Sequence, residues 1–156
     1  MFNKILVCLD GSQLAEQIMP YVLKEALAFK SKVILLRVLS LPYVMTPEIP
    51  GSPGVPVLSS SAADKLAKHE DAAKDYLEHI AQPLRKNGLR VDCVTLEGLP
   101  GSTIAEYANK NKVDLIAIAT HGHSGLRHAL VGSVAEFVIR EVDVPILMIR
   151  PKHPEK

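Results

Sequence analysis

The feature of this sequence that most restricts its fold is a set of five short segments rich in Val, Ile and Leu. Most of these segments are apolar almost without interruption and do not alternate with polar residues. Continuous apolar runs of this length are typical of strands covered on both faces, as in a parallel sheet between helices. The predicted strands run from Ile5 to Leu9, Lys32 to Leu39, Val91 to Leu96, Asp114 to Ala119 and Val144 to Arg150.

Helical patterns fill the intervals between these strands. One helical face is formed by Leu14, Ile18, Val22, Ala26 and Phe29, and another by Leu66, Ala73, Leu77, Ile80 and Leu84. Pro20 interrupts the first pattern, so that helix should kink or begin late. Two further helices are predicted from Thr103 to Asn111, with Ser102 as the cap, and from Ser133 to Val142. The alternation of strand and helix predicts one α/β domain with an open, doubly wound, parallel five-stranded sheet.

One segment, from Leu41 to Ser61, falls outside this alternation. It contains five prolines, two glycines and four serines. We interpret it as an insertion loop, 41–61, within a single domain spanning 1–150, which is followed by a tail, 151–156. The loop is either a mobile surface connection or a lid or partner-docking arm beside the binding site, and both interpretations remain open.

Composition narrows the choice of partners and compartment. The 156 residues suit one domain, and 18 basic against 17 acidic side chains leave a net charge of +1. This balance gives no bulk attraction to nucleic acid or an anionic membrane. No apolar run has the length of a signal-peptide core or a membrane span. Cys8 and Cys93 form no Cys-x-x-Cys pair. We expect a cytoplasmic protein with two reduced core thiols and no nucleic-acid or membrane partner.

The candidate binding site is predicted at two strand ends. Ligands of open parallel sheets bind beyond the carboxyl ends of the strands, where the winding direction reverses. The first strand leads into Asp10, and the fourth leads through a glycine-containing segment to Gly132 and Ser133 at a helix start. Glycines before a helix amino terminus suit a phosphate. Two alternatives stay open: Ser133 could simply cap the helix with Glu136, and Asp10 could be a turn or cap residue.

Several familiar sites are excluded by their motifs. The chain has neither a P-loop motif nor Gly-x-Gly-x-x-Gly after the first strand. The spacing of Gly122 and Gly125 does not fit a hydrolase nucleophile elbow. His121 and His123 have no evident third metal ligand. We therefore predict no protein metal site and assign no catalytic residue.

The glycine-containing segment carries a family resemblance that extends over nearly the whole chain. The sequence resembles the universal stress protein family in its ATP-binding form, whose signature is Gly-x2-Gly-x9-Gly-[Ser/Thr]. Gly122, Gly132 and Ser133 match the signature at the right spacing, whereas Ala119 replaces the first glycine and adds one methyl group. The resemblance implies a Rossmann-like fold with strand order 3-2-1-4-5 and a homodimer paired through the last strand. An unpaired apolar edge strand is itself a template for such pairing.

The resemblance also implies how a nucleotide would be held. Asp10 would accept a hydrogen bond near the adenine and ribose, and Val38 would offer main-chain groups to the adenine edge. Gly122, Gly132, Ser133 and Val134 would line the phosphates, with Arg127 and His123 helping to neutralise charge. The predicted cofactor is ATP, with Mg or Mn held mainly by the phosphates. The full predicted set is Asp10, Gly11, Val38, Ala119, Thr120, His121, Gly122, His123, Arg127, Gly132, Ser133 and Val134.

The predicted function is that of an ATP-binding stress or signalling protein, in which nucleotide occupancy changes shape or partner affinity. The alternative is a slow ATPase or an autophosphorylating enzyme, although the base and metal ligands of phosphoryl transfer cannot be assembled from this sequence. A third class, a partner-binding module without nucleotide, is disfavoured by Gly122, Gly132 and Ser133. The sequence does not identify the protein partner.

Overall fold

The architecture is a five-stranded parallel sheet with strand order β3-β2-β1-β4-β5. The computed structural model describes residues 1–40, 60–120 and 132–152, with the side chains of 60–66 left aside. The strands are β1 (Lys4–Cys8), β2 (Lys32–Leu39), β3 (Val91–Glu97), β4 (Leu115–Ala119) and β5 (Ile146–Ile149). Every neighbouring pair is parallel. The predicted fold class and the strand order implied by the resemblance are both confirmed.

The strand boundaries follow the prediction within two residues, and the largest difference is at β5. This strand begins at Ile146, where Val144 was predicted. The Pro145 carbonyl accepts a hydrogen bond from Ile116 N–H on β4, but proline has no N–H to donate in return. The ladder between β4 and β5 therefore becomes regular only after Pro145.

In the described parts of the chain, five helices connect the strands. They are α1 (Gln13–Glu16), α2 (Met19–Phe29), α3 (Ser60–Lys86), α4 (Pro100–Lys110) and α5 (Ser133–Glu141). The predicted interruption near Pro20 is confirmed: the helix stops after Glu16 and restarts with Pro20 in the first turn of α2. Because α3 begins at Ser60, the last two residues of the predicted loop 41–61 are helical. Residues 41–59 lie outside the described part of the chain. The hypotheses of a lid and a docking arm therefore stay predictions.

The starts of α4 and α5 differ from the predicted caps. Ser102 does not cap α4: Leu99 is the N-cap, Pro100 is the first helical residue, and the Ser102 hydroxyl donates to the Leu99 carbonyl over 3.1 Å. Proline is favourable at this position because the first helical N–H has no partner inside the helix. Similarly, Gly132 caps α5 and Ser133 is its first residue. The Ser133–Glu136 capping box is therefore not formed.

The core consists of two apolar layers, one on each face of the sheet. Helices α1, α2 and α3 cover the face that presents Ile5, Val7 and Leu35. Helices α4 and α5 cover the other face, which presents Leu6 and Ile116. Because successive strand residues point to opposite faces, both sets must be apolar, which explains the uninterrupted runs in the sequence. Each fully buried Leu or Ile contributes about 1.5–3 kcal/mol to folding.

The two cysteines occupy different environments. Cys8 is buried on β1, as expected. Cys93, on the edge strand β3, packs against the core but is only partly buried. Both thiols are free. Burial raises the pKa of Cys8 to about 12 and that of Cys93 to about 11. Both thiols are therefore protonated at neutral pH.

Candidate functional site

A cavity of about 380 Å³ opens at the carboxyl ends of the central strands. Strand β1 lies between β2 and β4, so the chain reverses its winding direction between β1 and β4. This switch point is where open α/β sheets bind ligands. The cavity is lined by Cys8, Leu9, Asp10, Ala15, Leu36, Val38, Ser40, Pro100, Ile104, Ile118, Ala119, Thr120, Gly132, Ser133, Val134 and Ala135. Its volume is in the range of small-ligand pockets.

The cavity brings together seven of the twelve residues predicted from sequence. These are Asp10, Val38, Ala119, Thr120, Gly132, Ser133 and Val134, which belong to four separate segments of the chain. Gly11 lies on the turn that follows Asp10 and does not itself line the cavity. His121, Gly122, His123 and Arg127 lie outside the described residues, so their roles stay predictions.

The acidic residue of the cavity is held by a tight turn. One carboxylate oxygen of Asp10, Oδ1, accepts the Ser12 N–H over 2.9 Å. The Ser12 hydroxyl oxygen in turn accepts the Ala15 N–H over 3.1 Å and caps α1. Gly11, between them, has a φ of +86°, which side chains other than glycine rarely adopt. The interpretation of Asp10 as a turn residue is confirmed, and the same turn places Asp10 at the cavity wall.

The start of α5 forms a second polar part of the wall. Gly132, Ser133, Val134 and Ala135 all line the cavity. The first helical N–H groups lack intrahelical acceptors, and the N-cap residue, Gly132, has no side chain that could cap them. The positive end of the helix dipole also lies here. This part of the wall is suited to an anionic group.

Gly132 lies where a side chain would not fit, which the sequence did not reveal. Its N–H donates to the Thr120 carbonyl over 2.6 Å, and a Cβ on Gly132 would lie 2.3 Å from that same oxygen. The Thr120 N–H, in turn, donates to the Ile149 carbonyl of β5 over 2.9 Å. The glycine therefore permits close contact between the end of β4 and the start of α5, whatever occupies the cavity.

The remaining wall is largely apolar and includes residues that sequence reasoning missed. Cys8, Leu36 and Ile118 come from the strands, whereas Pro100 and Ile104 come from α4. The local signals for a site lie at the ends of the first and fourth strands, whereas the end of β3, from which the chain enters α4, carries no such signal. Ser40, directly after β2, was missed for a similar reason. An apolar wall next to a helix start that is suited to an anion would fit a flat aromatic group that carries phosphate.

Two absences apply to the described residues alone. Residues 1–40, 60–120 and 132–152 contain no group of three or more His, Cys, Asp or Glu side chains that could hold a metal ion. Over the same ranges, no helix combines the length and apolar character needed to cross a membrane.

The strand order, the helices on both faces and the cavity at the switch point define a doubly wound α/β protein of the Rossmann-like class. The sequence profile of the universal stress protein family matches residues 1–150. This chain therefore belongs to the universal stress protein family.

Individual family members match over nearly their full length. Universal stress protein MJ0577 of Methanocaldococcus jannaschii is 31% identical, with 98% of each chain aligned. Universal stress protein MJ0531 of the same organism is 30% identical over all of this chain and 85% of its own length. The solved structure of MJ0577 superposes with a TM-score of 0.79 at 29% identity, covering 98% of this chain and 99% of that one. Universal stress protein UspA from Lactobacillus plantarum shares the fold, with a TM-score of 0.80 at 21% identity over 96% and 98% of the two chains.

Proposed function

We propose that this protein binds ATP in the cavity and acts in the cytoplasm as a stress-response or signalling protein whose shape or partner affinity depends on the nucleotide. The observation that carries the proposal is the composition of one wall: the Asp10 carboxylate lines the same cavity as the start of α5, whose N-cap is a glycine without a side chain. A carboxylate accepts hydrogen bonds from ribose or adenine, and a helix amino terminus suits phosphate.

The distribution of polar and apolar groups supports the same ligand. Val38 lines the cavity beside apolar residues of the strands and α4, which suits the adenine ring. Ser133 and Val134 offer N–H groups from the first turn of α5 to the phosphates. Among the described lining residues, Asp10 alone carries a carboxylate. We therefore propose that any Mg or Mn is held mainly by the phosphates themselves.

Two other solved structures with this fold hold adenine nucleotides. One is a universal stress protein in complex with cAMP, at 19% identity and a TM-score of 0.64. The other is an Arabidopsis thaliana family protein with AMP bound, at 15% identity and a TM-score of 0.66. At these identities the likeness establishes the fold alone, so the proposal for this chain relies on its own cavity.

The proposal is tested by measuring ATP affinity in two Asp10 variants. Asp10→Ala removes both a ligand acceptor and the acceptor of the Ser12 N–H, whereas Asp10→Asn keeps a neutral acceptor for Ser12. Loss of a hydrogen bond to a charged group corresponds to roughly 1.5–3 kcal/mol, so Asp10→Ala should weaken ATP binding about ten- to a hundredfold. Asp10→Asn should retain the melting temperature and show an intermediate affinity.

Calorimetric titration with ATP and thermal unfolding of the same samples give the two readouts. Mass spectrometry of small molecules released from the purified wild-type protein identifies the nucleotide it carries. If Asp10→Ala melts at lower temperature but binds ATP at full strength, Asp10 is a turn residue without a ligand role. A wild-type protein that binds no adenine nucleotide would refute the proposed function as a whole.

We also propose a homodimer paired through β5, because the two edges of the sheet differ. At the β3 edge, the Arg85 side chain of α3 donates to the Val91 carbonyl of β3 over 3.0 Å. That carbonyl faces away from β2, since Val33 bonds to the preceding carbonyl, that of Arg90. Asp92 places a charged side chain, paired with Lys32 of β2, on this strand. In contrast, β5 reads Ile-Leu-Met-Ile and all four residues are partly exposed. Charges and covered carbonyls disfavour strand pairing, so β5 is the edge better suited to a second copy.

A further inference from the structure

Arg37 lies on the face of the sheet opposite to the cavity, yet it contacts the turn that holds Asp10. Its neighbours on β2, Leu36 and Val38, both line the cavity. Since side chains alternate along a strand, Arg37 points to the face covered by α1, α2 and α3. There the guanidinium Cζ and Nη2 lie 2.9 Å, and Nη1 lies 3.1 Å, from the position that a Gly11 Cβ would occupy.

The same guanidinium also contacts an aromatic ring of α3. The Arg37 Cζ atom lies 5.2 Å from the centroid of the Tyr76 ring, which is a favourable distance for a cation–π interaction. Burial raises the pKa of Tyr76, and the carboxylates of Glu16 and Asp10 raise it further, whereas Arg37 lowers it. Arg37, Glu16 and Asp10 therefore all lie close enough to act on the Tyr76 hydroxyl at the back of the Asp10 turn.

Gly11 leaves the middle of the turn without a side chain of its own, so that a neighbouring side chain can pack against it. Glycine has the widest conformational freedom of any residue, and Gly11 sits between Asp10, which lines the cavity, and Ser12, which caps α1. A side chain on Gly11 could have held the turn, but its φ of +86° excludes most side chains. The planar guanidinium occupies the space that such a side chain would fill.

We propose that Arg37 is a positioning residue for the nucleotide cavity: packed between Tyr76 and Gly11, it holds the Asp10 turn in its binding geometry from the opposite face of the sheet. The effect on ligand affinity rests on the proposed function, whereas the effect on the turn does not. Arg37 itself touches no ligand in this arrangement, and it acts through Gly11 on the carboxylate of Asp10.

Three variants test this role. Arg37→Met keeps an unbranched side chain but removes the planar cation, and Arg37→Lys restores the charge without the planar group. Arg85→Met is the matched control. Arg85 is an arginine on the same face of the sheet, more exposed than Arg37, and it bonds to Glu78 and to Val91 at the amino end of β3, away from the cavity.

Two measurements separate the effect of Arg37 on the turn from its effect on ligand binding. Backbone ¹⁵N relaxation of Gly11 and Ser12, measured without nucleotide, reports whether the turn is held. Calorimetric titration with ATP, at a temperature where every variant is folded, reports the consequence for binding. Arg37→Met should lower the order parameters of Gly11 and Ser12 and weaken ATP binding about tenfold. Arg37→Lys should recover part of both losses, and Arg85→Met should change neither.

Each other outcome contradicts a specific part of the inference. Unchanged relaxation at Gly11 and Ser12 in Arg37→Met would overturn the positioning role. A more mobile turn with wild-type ATP affinity would show that the turn does not govern binding, which also overturns it. If the wild-type protein binds no adenine nucleotide but Arg37→Met still loosens the turn, the proposed function fails while the support of the turn by Arg37 stands.

Discussion

Replacing Gly132 by alanine tests the close contact between β4 and α5 at the cavity. The added methyl carbon would lie 2.3 Å from the Thr120 carbonyl oxygen and must move by about 1 Å to reach an ordinary contact distance. That movement would stretch the 2.6 Å hydrogen bond from Gly132 N–H to the same oxygen to about 3.6 Å, beyond bonding range. Gly132→Ala therefore shifts the start of α5 away from the end of β4.

The expected loss of stability combines three contributions. Strain from the added methyl group amounts to about 1–3 kcal/mol, and the lost hydrogen bond to about 0.5–1.5 kcal/mol. Restriction of the unfolded chain by alanine offsets about 0.4–1 kcal/mol, since the φ of −69° suits alanine. The net decrease in the free energy of unfolding is about 0.5–4 kcal/mol, which corresponds to a melting temperature lower by roughly 1–16 °C. ATP affinity should fall as well, because the displaced helix start lines the cavity.

Urea unfolding followed by circular dichroism measures the stability, and calorimetric titration measures the affinity. Gly88→Ala is the control, because a Cβ at Gly88 meets no atom within 4 Å and the residue lies far from the cavity, next to the end of α3. Because Gly88 has a φ of +82°, Gly88→Ala incurs backbone strain of about 1 kcal/mol, which the lower conformational entropy of the unfolded chain largely offsets. Gly88→Ala should leave ATP affinity unchanged. A Gly132→Ala protein as stable as wild type would refute the predicted clash.

Two further predictions concern the thiol at the cavity wall and the edge strand. Folding raises the pKa of Cys8 from 9.0 to about 12, so its stabilising contribution is complete below pH 9 and is lost as the pH rises toward 12. Between pH 8 and pH 10, urea unfolding should therefore show the wild-type protein losing about 1 kcal/mol more stability than Cys8→Ala. Equal losses in the two proteins would contradict the raised pKa of Cys8. On β5, the carbonyls of Pro145 and Ile149 face β4, so the N–H of Met148 points outward and that of Leu147 points inward. Met148→Pro should shift a dimer toward monomer in light scattering without loss of fold, whereas Leu147→Pro should lower the melting temperature; a folded Met148→Pro dimer would place the interface elsewhere.

The fold could be predicted from the sequence because its signals are local and repeated. The uninterrupted apolar runs indicate strands covered on both faces, and the apolar positions at helical spacing indicate the covering helices. Pro20 predicted the interruption between α1 and α2, because proline has no N–H to donate inside a helix. Strand order came from the family resemblance, since alternation of strand and helix alone permits more than one order.

Competing local signals explain the errors. Both Pro100 and Ser102 are typical of helix starts, and the structure uses the proline as the first helical residue. At α5, Ser133 and Glu136 have capping-box spacing, but the helix begins one residue too early for the box to form. The residue at which each helix begins depends on where the preceding segment ends in the tertiary structure, which a short sequence pattern does not determine.

The candidate site shows most clearly what the sequence determined and what tertiary structure decided. The sequence determined that Asp10 follows the first strand and that Gly132 begins a helix, because strand ends and helix starts have local signatures. Tertiary structure decided that a methyl at Gly132 would strike the Thr120 carbonyl and that Arg37 supports the Asp10 turn from behind. These contacts join residues 12 and 26 positions apart in the chain. They exist because the sheet places separate strand ends side by side, and periodicity within a segment carries no information about such neighbours.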